Sequence, residues 1–589
     1  MTTRASNSKT KNAAPSADTF RDDLASLLDR LRPLELLRPS TLILTALYLL
    51  LALDHIWVTE DAFITFRSVE NLWTGGGPNF NRNIRVESFS HPLWFMILSV
   101  LRIGGESLLG PLSACAGVSL ATLGLWFATA AGLSRNRGVG KQFPLGALMI
   151  CALPPFWDFA SSGLETGLTF GWIGLSSLLV SLALHKQERI PLSTFTVLGL
   201  GPLIRIDLIC IALPLLATAL LLSKTRLHWL NALMLRGCVF LAPALSWEIF
   251  RMGYYGLLVP NTYLSKEGLG SRWDQGLIYL HDTYGLYWLY PMLALGLLLA
   301  WWAYLKDISA VKPHRNAGLT WTVPLALIAG GLIHTLFVTK AGGDFMHARL
   351  LLPGIFALLT AFAWVRLPRS RHLSRACVAV SLAWALTTGL TARPRYAGHV
   401  SKNGIADERM YYVNSARISH PISASDYRFH NFYRIGEELR YKARAEKVSA
   451  FYWAHIGIAI SVLPNEVIVI DPLTLNDYVG SHTILTKRGR PGHEKIARAA
   501  WFLARYPAGT GLVINQQLEE VFKVKELPEA IEAARAALAT PLLRELSSAT
   551  TDPMTPALFI RNIFRAWRLT TLRFPNDPVE AVRTLSDEK

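Results

Sequence analysis

Carboxylates, cations and glycines recur in five short segments of this 589-residue chain, each beside an apolar run. The first, WVTEDAFITFRSVENLWTGGGPNFNRNIRVESFSHPLW at 57–94, carries Glu60 and Asp61 directly after an apolar stretch. A carboxylate placed there can act as general base toward a hydroxyl. Adjacent helical residues point in different directions, so at most one of the pair is expected to do chemistry. A helix start with a solvated acidic turn explains the same two residues. The second segment, WDFASSGLET at 157–166, holds Glu165, which suits a site or a capping box equally. The third, IRID at 204–207, holds Arg205 and Asp207, which either line a cavity or pair with each other. The fourth, at 251–276, contains Asn261 and Lys266. The fifth, TKAGGDFMHARLLLP at 339–353, contains Lys340, Asp344, His347 and Arg349. Lys266, Lys340, His347 and Arg349 are candidate partners for a phosphate, with interfacial snorkelling as the plainer role for such cations. Asp344 follows two glycines that allow a tight turn and a close backbone approach.

Other chemistries lack their signatures. HExxH, GxSxG, GxxxxGK[ST] and CxxC are all missing from the sequence, so no metal ligand set is assigned. No cofactor is certain, although an Asp-rich loop could hold a divalent cation. The glycines at 75–77 lack the strand and lysine of a phosphate loop and read as a hinge or turn. The five cysteines all fall inside apolar runs and none lies beyond Cys377, so no disulfide framework is implied.

The elements that must position these segments are mostly membrane helices. The chain is 51% hydrophobic and only 17% charged, against about 25% charged in soluble proteins, and its mean hydropathy is +0.29. The net charge of +17 sits in short Lys and Arg clusters between apolar runs, the pattern of cytoplasmic anchors rather than of a nucleic-acid surface. Apolar runs fall near 39–57, 107–133, 143–159, 166–184, 191–204, 208–222, 229–250, 286–304, 320–338, 349–366 and 375–391, about eleven in all. The stretch 91–103 is short enough to be partial or re-entrant. Basic loops at 134–142, 185–190, 223–228, 305–319 and 367–374 then alternate with the five polar segments. The positive-inside rule therefore puts the N-terminus in the cytoplasm, and the polar segments and everything after residue 392 outside.

Residues 1–38 read as a cytosolic tail ending in an amphipathic helix, and 39–394 as the transmembrane domain. Residues 395–589 read as a soluble extracytoplasmic α+β domain. Within it VSAFYWAHIGIAISVLPNEVIVID alternates like strands, and IARAAWFLARYP and LPEAIEAARAALATPLLREL read as amphipathic helices. Tyr452 and Trp453 could stack on sugar rings, with core packing the commoner role for such a pair.

The motif order resembles a known family. EDAFIxxR at 60–67, NLWTGGGPNFN at 71–81, RVESFSHPLW at 85–94, SGLET at 162–166, PNTYLSK at 260–266 and GGDFMHARLLLP at 342–353 resemble GT-C membrane glycosyltransferases. VIVIDPLTLND at 467–477 followed by RPGHEK at 490–495 is similar to mycobacterial-type terminal arabinofuranosyltransferases. The resemblance implies a GT-C-type polytopic α-helical fold in the inner membrane. It also implies a polyprenyl-phosphate sugar donor, typically of arabinofuranose, and an extracytoplasmic glycan or glycoconjugate acceptor. It implies catalysis at Asp61 with Glu60 beside it, and soluble-domain roles for Asp471, Arg490 and His493. In three places the sequence departs from the family pattern: Glu60 replaces an aspartate, RIDL stands at 205–208 for Arg-Pro-Asp-Gly, and LTLND at 473–477 lacks a glycine. A transporter or flippase of lipid-linked glycans is the competing reading. It lacks the expected inverted repeat, and the polar motifs stand at loop edges rather than in mid-helix. Reporter fusions test the topology: position 30 is expected to report cytoplasm and position 580 the opposite side, and the same side at both ends would refute it.

Overall fold

The computed structural model describes residues 36–587 except 136–140, 187–189, 223–228, 269, 309–318, 397–398, 507–509 and 513–525. The amphipathic helix expected before residue 36 and most of the basic loops lie outside the described residues.

Among the described residues, six helices are long and apolar enough to cross a membrane: Glu106–Arg135, Thr166–Ala183, Leu230–Tyr255, Leu289–Asp307, Trp321–Ala341 and Arg371–Thr391. Five shorter apolar helices accompany them, at Pro39–Asp54, Pro92–Gly104, Leu192–Ile204, Ile206–Leu221 and Arg349–Ala361. The run expected at 143–159 is not one helix. It breaks into Leu145–Ala152 and Pro154–Asp158, because two consecutive prolines remove backbone donors and clash with the preceding turn.

Small residues set the closest helix pair. Leu109–Arg135 and Thr166–Lys186 approach so nearly that a side chain on Gly167 would stand 2.2 Å from the Gly117 carbonyl oxygen. One on Gly174 would stand 2.2 Å from that of Gly124. Where lipid tails compete equally for apolar side chains, close backbone packing of this kind is what holds helices together.

The C-terminal segment is built differently. Three short strands, Ala450–Tyr452, Ile468–Ile470 and Thr510–Leu512, form a sheet with the first in the centre and both pairings parallel. The expected α+β character is corrected here: the sheet is parallel, with the Ala499–Arg505 helix lying between its second and third strands in sequence. The first two strands, AFY and IVI, read as short apolar runs and are almost wholly buried. The helical stretch near 527–546 splits at Pro541 into Pro528–Leu538 and Pro541–Thr551, followed by Pro556–Thr571 and Pro578–Asp587.

The two parts interlock. Arg67, in the Glu60–Trp73 helix, is buried and donates to the carbonyls of Phe80 (3.1 Å), Ile460 (3.3 Å), Pro464 (3.4 Å) and Val467 (2.8 Å). Burial lowers its pKa to about 10, so it stays charged at neutral pH. Asn81 pairs in both directions with the Val469 backbone, donating to its carbonyl at 2.8 Å and accepting from its N–H at 3.0 Å. Arg85 adds bonds to the Ala549 and Asp552 carbonyls.

Replacing Gly174 by Leu forces the Leu109–Arg135 and Thr166–Lys186 helices apart. The expected cost is about 1–3 kcal/mol, read as a lower thermal midpoint of the detergent-purified protein. An unchanged midpoint would contradict the packing.

Candidate active site

The Glu60–Trp73 helix is held at its start by backbone bonds from both sides. Thr59 N–H donates to Ser162 O at 2.9 Å, and Val58 N–H to Pro421 O at 2.9 Å. Glu60 and Asp61 form its first turn, where unpaired N–H groups and the helix dipole favour negative charge. Both line a cavity of about 600 Å³, shared with Glu408, His455, Arg490 and His493. The expectation that the neighbouring carboxylates diverge is met in their partners rather than in their exposure to the cavity. One Glu60 oxygen accepts from Gly457 N–H at 2.6 Å. Only glycine fits at 457, since a side chain there would stand 2.6 Å from the Glu60 carboxyl carbon. Asp61 has no hydrogen bond or ion pair among the described residues.

Four carboxyls line this cavity; Glu438 is exposed, and the enclosed surroundings of Glu60, Asp61 and Glu408 do not let all three ionise. Burial pushes Glu60 above the usual carboxylate range, and the adjacent Asp61 charge adds to this. Glu408 is pushed up further, by burial and then by Asp61 and Glu60. Burial also raises Asp61, with the charges of Arg349 and then Lys266 opposing the rise and those of Asp344 and Glu165 adding to it. His493 is held neutral by burial and by Arg490, consistent with its Nε2 accepting from Arg490 at 3.2 Å. Burial lowers His455 to about 4.

The remaining sequence candidates form separate groups. Arg349 pairs with Asp344 at 2.7 Å, in a loop that turns through Gly342 and Gly343 at φ +97° and +73°. The Lys266 side chain is half-buried and has no hydrogen bond or ion pair among the described residues. Glu165, Arg205 and Asp207 join a buried chain of contacts. Arg205 meets Glu165 at 3.0 Å and Asp207 at 3.0 Å, and His334 meets Asp207 at 2.8 Å. His91 lies 3.4 Å from Glu165 and 3.1 Å from the Thr65 hydroxyl, one turn along the helix from Asp61. Glu165 is therefore an ion-pair partner and not half of a capping box. His347 sits apart, bridging Asp282 at 2.6 Å and the Tyr287 hydroxyl at 2.9 Å. Asn261 donates to the Thr474 and Leu475 carbonyls. Asp471 accepts from the Leu473 and Leu475 N–H groups. Asn261 thus ties its helix to the C-terminal segment, Asp471 shapes the turn that receives it, and neither lines the cavity. Burial raises Asp471 to about 7. Tyr452 packs in the core with its hydroxyl on Ala497 O, whereas Trp453 reaches the cavity wall. Among the described residues, no group of three His, Cys, Asp or Glu side chains is placed to hold a metal ion.

Glu408, Tyr411 and His455 were not singled out by sequence reasoning. The signal available was ADERMYY at 406–412, an acid beside two tyrosines just past the composition change. Only the fold brings it opposite Asp61.

A polytopic helical protein with a carboxylate-and-cation cavity and a C-terminal α/β unit is, in this case, similar over most of its length to membrane glycosyltransferases that transfer arabinofuranose. Its residues 407–584 match the AftB family C-terminal domain. The chain is 28% identical to a terminal beta-(1->2)-arabinofuranosyltransferase of Mycobacterium tuberculosis, over 89% of this chain and 93% of the relative. It is 27% identical to a protein of the same description from Corynebacterium glutamicum, over 88% of this chain and 82% of that relative. No solved structure matches significantly.

The charge pattern predicts a pH effect. A nearby cation favours the ionised carboxylate, so removing it raises the carboxyl pKa. In Lys266→Met the acid limb of kcat/KM is expected to move to higher pH than in the parent enzyme. An unmoved limb would separate Lys266 from the ionisation of Asp61.

Proposed function

We propose that this protein transfers an arabinofuranosyl group from a polyprenyl-phosphate donor to a hydroxyl of an extracytoplasmic glycan or glycoconjugate. In this reading the chain crosses the inner membrane about eleven times. Its N-terminus is cytoplasmic, 39–394 forms the membrane domain, and 395–589 lies outside. The observation that carries it is Asp61, at a helix start in the cavity, without a described partner and in the field of Arg349 and Lys266. Asp61 accepts the proton of the acceptor hydroxyl as its oxygen bonds to the sugar's anomeric carbon. The bond from that carbon to the phosphate oxygen breaks, and the phosphate leaves with the electron pair. Lys266 and Arg349 offset the charge that builds on the phosphate. Glu60 and Glu408, held neutral, present O–H groups to sugar hydroxyls, and Arg490 and His493 complete the wall from the C-terminal segment. The similarity to two arabinofuranosyltransferases supports the sugar.

Asp61→Asn keeps the shape and removes the base. It is expected to lower transfer by about 10²–10⁴-fold, measured with radiolabelled polyprenyl-phosphate arabinose and purified, folded enzyme. Glu60→Gln is expected to cost much less, because it replaces a neutral group by another. Near-parental turnover in Asp61→Asn would refute Asp61 as the base. Lys266→Met should chiefly raise the donor KM.

A further inference from the structure

The Pro556–Thr571 helix has two unlike faces. Leu558, Asn562, Ala566 and Leu569 are buried, and Asn562 donates to the Gly253 carbonyl at 3.1 Å, at the end of the Trp229–Tyr255 helix. The Phe559 ring occupies the place of a Gly253 side chain, which would meet it at 2.2 Å. On the other face Ile560, Phe564 and Trp567 are 56%, 83% and 71% exposed. At 3.6 residues per turn they form one stripe, edged by Arg561 and Arg568. Arg568 pairs with Glu545, and Arg561 has no ion pair among the described residues.

The stripe continues a surface already turned toward lipid. The Leu230–Tyr255 span is mostly uncovered by protein. Along it Leu241, Leu245 and Ile249 are exposed at four-residue steps, and the next step is Gly253, where Phe559 is seated. A row of exposed apolar side chains on a membrane-length helix thus ends where the C-terminal helix packs against it through Phe559. An apolar stripe with aromatic residues, bordered by arginine, is the composition of a helix lying in a membrane interface.

We propose that the Pro556–Thr571 helix lies in the headgroup layer of the bilayer crossed by the Leu230–Tyr255 helix. Ile560, Phe564 and Trp567 enter the acyl boundary there, and Arg561 meets anionic headgroups. The C-terminal segment is then seated on the membrane by its own contacts and not held by the loops alone.

The test uses the full chain in nanodiscs of phosphatidylethanolamine and phosphatidylglycerol. A bimane label is placed on Phe564→Cys or, as control, on Tyr441→Cys, which is exposed on the charged Asn431–Ala445 helix. The unsubstituted chain gives the background from native cysteines. Both substitutions are at exposed positions, and gel filtration checks the fold. Lipids carrying a nitroxide high on the acyl chain are expected to quench the Phe564→Cys label several-fold more than the control, with water-soluble iodide doing the reverse. Equal quenching of the two sites by nitroxide lipid would overturn the proposal. Protection of Phe564→Cys from iodide without quenching by lipid would overturn it too, pointing to a second copy of the chain on this face.

Discussion

A buried guanidinium with no ion pair among the described residues has to be satisfied by carbonyls, and this requirement organises the molecule around Arg67. Its bonds to Phe80, Ile460, Pro464 and Val467 leave the Glu60–Trp73 helix little freedom against the C-terminal sheet. The same helix carries Asp61 six residues earlier. The position of the cavity carboxylate is therefore fixed from the far end of the chain, with Asn81 and the Glu60–Gly457 contact as further ties. Desolvating a charge is costly without full compensation, so the helix is held in the one place where those carbonyls converge.

That placement also explains the electrostatics of the cavity. A helix start, a carboxyl bound to a backbone N–H and a third carboxyl from the C-terminal segment would repel one another if all were charged. Burial raises all three, and at Asp61 alone the Arg349 and Lys266 charges oppose that rise most strongly. The Asp344 carboxylate restrains Arg349 in its loop, which leaves Lys266 as the more adaptable cation. The buried chain from Thr65 through His91 and Glu165 to Arg205 and Asp207 supports the same helix from the membrane side, so both faces of the Asp61 turn rest on polar contacts.

Much of this was legible in the sequence. The six long membrane helices coincide with apolar runs, because in lipid a span must be long, apolar and internally hydrogen-bonded. The Arg205–Asp207 pair follows from two ionisable groups flanked by apolar sequence, and the turn before Asp344 from its two glycines. What stayed hidden depends on distance along the chain. Glu408 looks like any exposed acid until residues 60 and 408 face each other. Asp471 and Asn261 look like site residues until their partners prove to be backbone groups. The parallel sheet was hard to read because strands of three residues carry too little periodicity to fix their pairing.

The contacts of Arg67 reach residues 393 to 400 positions further along the chain. During synthesis at about 5–20 residues per second, the first loop must wait roughly 20–80 s for those carbonyls to exist. Until then the guanidinium stays hydrated and the helix bearing Asp61 has no fixed seat. Catalytic competence in this protein is therefore a late event of its biogenesis, acquired only once the carbonyls of Ile460 to Val467 have been made and folded into place.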